Sequence, residues 1–352
     1  MSLAVVFAPD WRGGVPYQRL LAEALSAEDV TVSFLTGYKR VLPLTRLLAD
    51  RRCDLLHLHW PEAYYPQLGD RFDWFRRARF TLDLALAARR TPYVLTAHNL
   101  HEHNLQHLPF AHANYAAAYR GARLVFAHSD AARQRLIEVY RLSPEKIRVI
   151  PHGDLSVVLP APVPGNEARK RLGLATGPLC LMFGAVEPYK GQEEVLAWWK
   201  ATRPAAQLVI AGKPNTPAHA AAITRAAEGV PGVTLHLGWL DDTTLALWLS
   251  AADAVLFNYR TIFTSGAACL ARSWGVPILI PSRLDTVDLA EPSPTIFRFD
   301  SPDTDLAEKL TTALATPPDP TGATTWREQT AWARVAALTA AGYEWALRQG
   351  HR

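Results

Sequence analysis

Two turns in this chain carry residues that can hold a diphosphate. FGAVEPYKG (Phe183–Gly191) follows the apolar run Leu179–Phe183, and NYRTIFTSG (Asn258–Gly266) follows Asp253–Phe257. Each leads into a helical pattern. Lys190, Arg260 and the pair Ser265-Gly266 therefore fall at the carboxyl ends of two predicted strands, where open parallel sheets bind ligands. A helix N-terminus there adds free N–H groups and a partial positive charge, which suits phosphate. Gly184, Tyr189, Tyr259 and Thr264 belong to the same turns. Lys213 of AGKPNTP sits at a third strand end, and Trp239 and Leu240 of GWL follow a fourth, where a loop can meet a nucleobase. The plainer alternative makes Lys190 a solvated turn residue and Ser265 a helix N-cap. With no Walker or GxGxxG pattern, the two turns together point to nucleotide-sugar chemistry.

Glycosyl transfer also needs a proton acceptor. HLHWPE (His57–Glu62) and TAHNLHEH (Thr96–His103) each end or follow a predicted strand in the first half. Glu62 is the first candidate base, with His98, Glu102 and His103 as alternatives; a carboxylate or imidazole there can be tuned towards neutrality. Asn99, His59 and Trp60 are expected on the acceptor side as orienting residues. The histidine spacing does not read as zinc, because no cysteine joins it and HExxH is absent. Gly13 and Gly14 of the RGG turn after the first strand, and His152 of IPHGDL, are further donor-side candidates. No metal and no cofactor are expected.

Strand patterns at Leu3–Phe7, Val30–Leu35, Leu55–Leu58, Tyr93–Thr96, Leu124–Ala127 and Ile147–Ile150 alternate with helical ones. A second series follows at Leu179–Phe183, Gln207–Ala211, Val233–Leu237, Ala254–Phe257 and Ile278–Ile280. Such alternation predicts parallel sheets covered by helices. The 352 residues suit two domains. The expected division is residues 1–158 as an acceptor-binding Rossmann-like domain and 159–177 as a Pro-rich linker. Residues 178–324 follow as the nucleotide-sugar domain, and 325–352 as a closing helix. The fold class is α/β of GT-B type, with two Rossmann-like domains facing a central cleft.

A net charge of +4 is too mild to argue for nucleic acid, and no nucleic-acid motif is present. Cys53, Cys180 and Cys269 are widely spaced in apolar surroundings, which suits a reducing cytoplasm. The N-terminus reads as a strand rather than a signal peptide, and no apolar run reaches the roughly 20 residues of a membrane span. Residues 71–90 carry six arginines among aromatics. Trp74, Phe75, Arg76, Arg77 and Arg79 form the expected contact of a basic amphipathic helix with the inner membrane; an ordinary surface helix is the alternative.

Taken in order, DLLHLHWPE, TAHNLHEH, FGAVEPYKG, AGKPNTP and YRTIFTSG resemble the bacterial exopolysaccharide mannosyltransferases of glycosyltransferase family 94, the GDP-mannose β-1,4-mannosyltransferases of xanthan type. The resemblance covers roughly residues 1–290. It implies an inverting, metal-independent enzyme that adds mannose from GDP-mannose to a polyprenyl-diphosphate-linked glycan. GWLDDTTLALWLSAADAVLF is also similar to a segment of the retaining family 4. That family carries two glutamates before a Gly-x-Pro, where this chain has Ile262 and Leu270, and this favours the inverting reading. A UDP-sugar transferase, a GT-B epimerase and a non-catalytic subunit are the competing expectations.

Overall fold

The computed structural model describes residues 2–37, 41–49, 53–65, 72–101, 111–284, 287, 289 and 293–349. The chain divides into two compact units, residues 1–153 with 330–352, and residues 154–329.

Unit 1 is built from β1 (Leu3–Ala8), α1 (Tyr17–Leu25), β2 (Val30–Phe34), β3 (Leu55–Leu58), α2 (Asp73–Ala88), β4 (Tyr93–Thr96), α3 (Ala111–Gly121), β5 (Leu124–Ala127), α4 (Asp130–Tyr140) and β6 (Ile147–Val149). Its sheet is parallel throughout, in the order β2-β1-β3-β4-β5-β6. β3, β4 and β5 are buried along their whole length, as continuous apolar strands covered on both faces must be. The order reverses between β1 and β3, so the ligand crevice of this sheet is expected at their carboxyl ends.

Unit 2 contains α5 (Gly165–Arg171), β7 (Leu179–Phe183), α6 (Gln192–Thr202), β8 (Gln207–Gly212), α7 (Pro217–Ala227), β9 (Val233–Leu237), α8 (Asp242–Ala251), β10 (Ala254–Leu256), α9 (Gly266–Trp274), β11 (Ile278–Pro281), β12 (Ile296–Phe299), α10 (Leu306–Ala315) and α11 (Pro320–Gln329). Its parallel sheet runs β12-β11-β10-β7-β8-β9. The reversal lies between β7 and β10, the two strands that lead into the turns at Gly184 and Asn258. α12 (Trp332–Arg348) then returns to unit 1.

Three sequence expectations differ from this arrangement. Residues 159–177 are not a free linker: α5 packs on unit 2, with Ala168 in its core and Arg169 bonded to Asp253 and the Ala251 carbonyl. The closing helix is two helices, and α12 belongs to the first sheet. Val335, Ala336, Tyr343 and Ala346 complete the unit 1 core, so the apolar face of α12 has its partner there rather than in the neighbouring sequence. Finally β12, an alternating IFRF, extends the second sheet by one strand beyond those expected.

Candidate active site

In unit 2 the two turns are stitched together. The Arg260 amide donates to the Tyr189 carbonyl at 2.7 Å, and Asn258 Nδ2 donates to the Gly191 carbonyl at 3.2 Å. Gly191 has φ +68°, and a Cβ there would lie 2.4 Å from the Asn258 carbonyl oxygen. Only glycine fits this approach. Likewise a Cβ on Gly212 would sit 1.7 Å from the Gly184 carbonyl oxygen.

Lys190 is buried at this junction, 7% exposed. Its Nζ lies 5.3 Å from the ring centre of Tyr259 and 5.9 Å from that of Tyr189. Among the described residues it has no hydrogen-bond acceptor. Burial lowers its pKa to about 8, with Glu187 opposing the shift. Two hydroxyls of the other turn also lack partners. Thr264 Oγ1 is buried without a partner, and the Tyr259 hydroxyl lies beside Ser265 without hydrogen-bond geometry. Buried polar groups are ordinarily paired, so the unpartnered Tyr259 and Thr264 hydroxyls leave room for a partner from outside the chain.

The bland reading of Ser265 holds in part: its Oγ caps α9 by accepting from the Ala268 amide at 3.1 Å, and Gly266 is the first helical residue. Arg260 is exposed and its guanidinium is engaged by Glu194 Oε1 at 2.8 Å, while Asn258 Nδ2 holds Glu194 Oε2 at 3.1 Å. Glu194 was not among the sequence candidates, since a first-turn glutamate on a helix carries no local sign of a partner 66 residues away. Further along the same strand ends, Phe183, Gly184, Lys213, Asn215, Trp239 and Leu240 line a cavity of about 470 Å³. Trp239 is 72% exposed at this cavity. Asp241, next to it, caps α8 through the Thr244 amide.

In unit 1 Glu62 lies in a short 3-10 turn, Pro61–Tyr64, just past β3. Asn99 Nδ2 donates to its Oε1 at 2.9 Å and the Tyr115 hydroxyl to its Oε2 at 2.6 Å. Burial raises the Glu62 pKa, and these two bonds oppose the shift. Tyr115 comes from α3 and nothing local in the sequence marked it.

His98 is less available as a base than expected. Its Nε2 is 3.2 Å from His59 Nδ1, its Nδ1 is 3.5 Å from His128 Nε2, and Trp60 covers one face at 4.2 Å. Trp60 is itself stacked on Trp11 at 4.9 Å, so both of its faces are in use and it offers no open platform to a sugar. His152 is buried beside Tyr17 and His128, with Nδ1 3.3 Å from the Gly153 carbonyl. Gly13 and Gly14 form an exposed turn in which an added Cβ meets nothing closer than 3.9 Å, so no close backbone approach explains glycine there. Glu102 and His103 lie outside the described residues.

Along α2, Trp74, Phe75 and Leu82 are exposed, as is Phe72 before it. The arginines differ from the expected basic face. Arg76 pairs with Asp73 at 2.5 Å, Arg79 reaches back to the Tyr64 carbonyl, and Arg77 lines a shallow groove together with Trp74. Among the described residues no helix is long and apolar enough to cross a membrane, and no group of three His, Cys, Asp or Glu is arranged to hold a metal.

Both sheets have solved counterparts. The chain is similar to a sucrose-phosphate synthase from Thermosynechococcus elongatus, with TM-score 0.72, 17% identity, and 98% and 99% of the two chains covered. It is also similar to Anabaena HepE in complex with UDP-glucose, with TM-score 0.69, 15% identity, and 97% and 99% covered. The fold is GT-B. Within this GT-B chain, residues 4–154 match the model of Glycosyltransferase Family 4. In sequence the chain is 27% identical over 247 residues to a GDP-mannose:glycolipid 4-beta-D-mannosyltransferase of Xanthomonas campestris pv. campestris. That match covers 68% of this chain and 64% of the relative's length. It is the kind of protein that the ordered motifs resemble.

Proposed function

We propose that this chain is an inverting glycosyltransferase that moves mannose from GDP-mannose to a hydroxyl of a lipid-linked glycan. The observation that carries the reading is Lys190. A lysine buried at the reversal point of a parallel sheet, beside Tyr259 and without a hydrogen-bond acceptor among the described residues, is suited to an anionic leaving group. The diphosphate would lie against Lys190, Thr264 and the α9 amides, with the base in the cavity beside Trp239. Glu62 takes the proton of the attacking hydroxyl. That oxygen bonds to the anomeric carbon as the bond to the diphosphate breaks, and the electron pair leaves on the nucleoside diphosphate. Preorganised donors aimed at the oxygen that gains charge are the largest usual contribution to such a step. One displacement on an α-linked donor gives a β-linked product, and no metal is required in this scheme. The relative's name supports the mannosyl donor and the glycolipid acceptor.

The test is a thermal-shift panel of GDP, UDP, ADP and TDP on the wild type and Lys190→Met. A ligand at about 100 times its dissociation constant adds about 2.7 kcal/mol of stability. A GDP shift abolished by the substitution supports the reading; no shift with any nucleotide overturns it. A UDP shift in place of GDP keeps the transferase and changes the donor. We further propose that Phe72, Trp74, Phe75 and Leu82 seat α2 on the anionic inner-membrane surface that carries the acceptor.

A further inference from the structure

Five buried histidines gather at the carboxyl ends of β3 to β6: His57, His59, His98, His128 and His152. Three of them form a directed chain. His128 Nδ1 lies 3.0 Å from the Ile150 carbonyl oxygen, which can only accept. His128 therefore carries its proton on Nδ1 and turns a bare Nε2 towards His98. His98 Nδ1, at 3.5 Å, must then be the protonated nitrogen, and His98 Nε2 is bare. The same step at 3.2 Å protonates His59 Nδ1. The chain ends in His59 Nε2, a buried acceptor with no donor among the described residues. Tyr17 packs its ring against His98, His128 and His59 with centroids 4.8, 5.8 and 5.9 Å away, so the surroundings favour neutral rings. Burial correspondingly lowers the pKa of all three.

We propose that His128 is a positioning residue of the acceptor half of the site. Anchored on the Ile150 carbonyl, it sets the tautomers of His98 and His59 and so fixes the ring that Trp60 stacks on, next to the Asn99 that holds Glu62. No proton moves along the chain; its work is orientation. The inference rests on the proposed function for its catalytic consequence, but not for the tautomers.

The experiment is long-range proton–nitrogen NMR on protein labelled with 15N-histidine, together with steady-state kinetics. The wild type should show His128, His98 and His59 all protonated on Nδ1. His128→Gln keeps an acceptor oxygen where Nε2 stood, and should retain the tautomers of His98 and His59 and the wild-type kcat. His128→Leu removes the acceptor; His98 should lose its single tautomer, and kcat should fall on the order of 10-fold or more at unchanged donor KM. An Nε2-protonated His98 in the wild type overturns the proposal, as does a His128→Leu variant with wild-type tautomers and kcat. If His128→Leu does not fold, the wild-type pattern and His128→Gln decide. A wild type with no transferase activity counts against the proposed function, while the tautomer pattern still stands or falls by the spectra.

Discussion

The Tyr115 hydroxyl donates a 2.6 Å hydrogen bond to Glu62 Oε2. The bond favours the ionised carboxylate against the burial that opposes it. Glu62→Gln should keep the fold and nucleotide binding while turnover falls ~100-fold or more, the scale of a lost general base. Tyr115→Phe should leave a working base with a higher pKa. The acid limb of the kcat/KM profile should then move to higher pH, and a pH–rate series on both variants checks this. An unmoved limb in Tyr115→Phe would remove Glu62 from the base role.

Lys190 should make nucleotide binding pH-dependent. Its folded pKa is about 8 against an ordinary value of 10.5. Between those values the unfolded chain holds a proton that the folded chain lacks, so this group makes the free protein more stable as pH rises across the window. Diphosphate binding runs the other way, because it needs the ammonium: affinity should be greatest below pH 8 and fall above it. Titration calorimetry with GDP at pH 7 and 9 measures the difference. Lys190→Met should raise Tm and abolish the effect, since it removes a buried charge and a ligand contact together.

Trp239 stands exposed at the cavity that Lys213 and Leu240 also line. Stacking of a base on an aromatic ring is worth about 1–3 kcal/mol, and Trp239→Ala should weaken GDP binding by that amount. Wild-type affinity in the variant would place the base elsewhere. Fluorescence quenching on titration offers a second readout.

Gly191→Ala should damage both stability and binding. The residue has φ +68° and its missing Cβ faces the Asn258 carbonyl at 2.4 Å. The left-handed conformation alone costs about 1–2 kcal/mol for an L side chain, and the clash adds to it. Denaturant melts should show the loss, with GDP affinity falling because the Lys190 turn moves off Asn258.

Trp74→Glu with Phe75→Glu tests the surface of α2. Both side chains are exposed, so the fold and the nucleotide affinity should be unchanged while sedimentation with anionic vesicles is lost. Vesicle binding that survives would remove this helix from the membrane reading.

The sequence by itself determined where the chemistry-bearing residues sit along the elements. Alternating apolar runs are a local signal, and each run names its own strand end. Lys190, Thr264, Trp239, Glu62 and His98 were legible there, as were the two turns on either side of the β7–β10 reversal. Tertiary structure alone decided what each residue touches. Arg260 faces Glu194 and Glu62 faces Tyr115 because particular crossovers bring them together across 66 and 53 residues. The return of α12 to the first sheet likewise has no local marker, for its apolar face fits any sheet that offers room. His59, His98 and His128 show both levels at once. Each is a strand-end residue in the sequence, and only the order β3-β4-β5 makes them neighbours, so that one carbonyl at Ile150 can set all three.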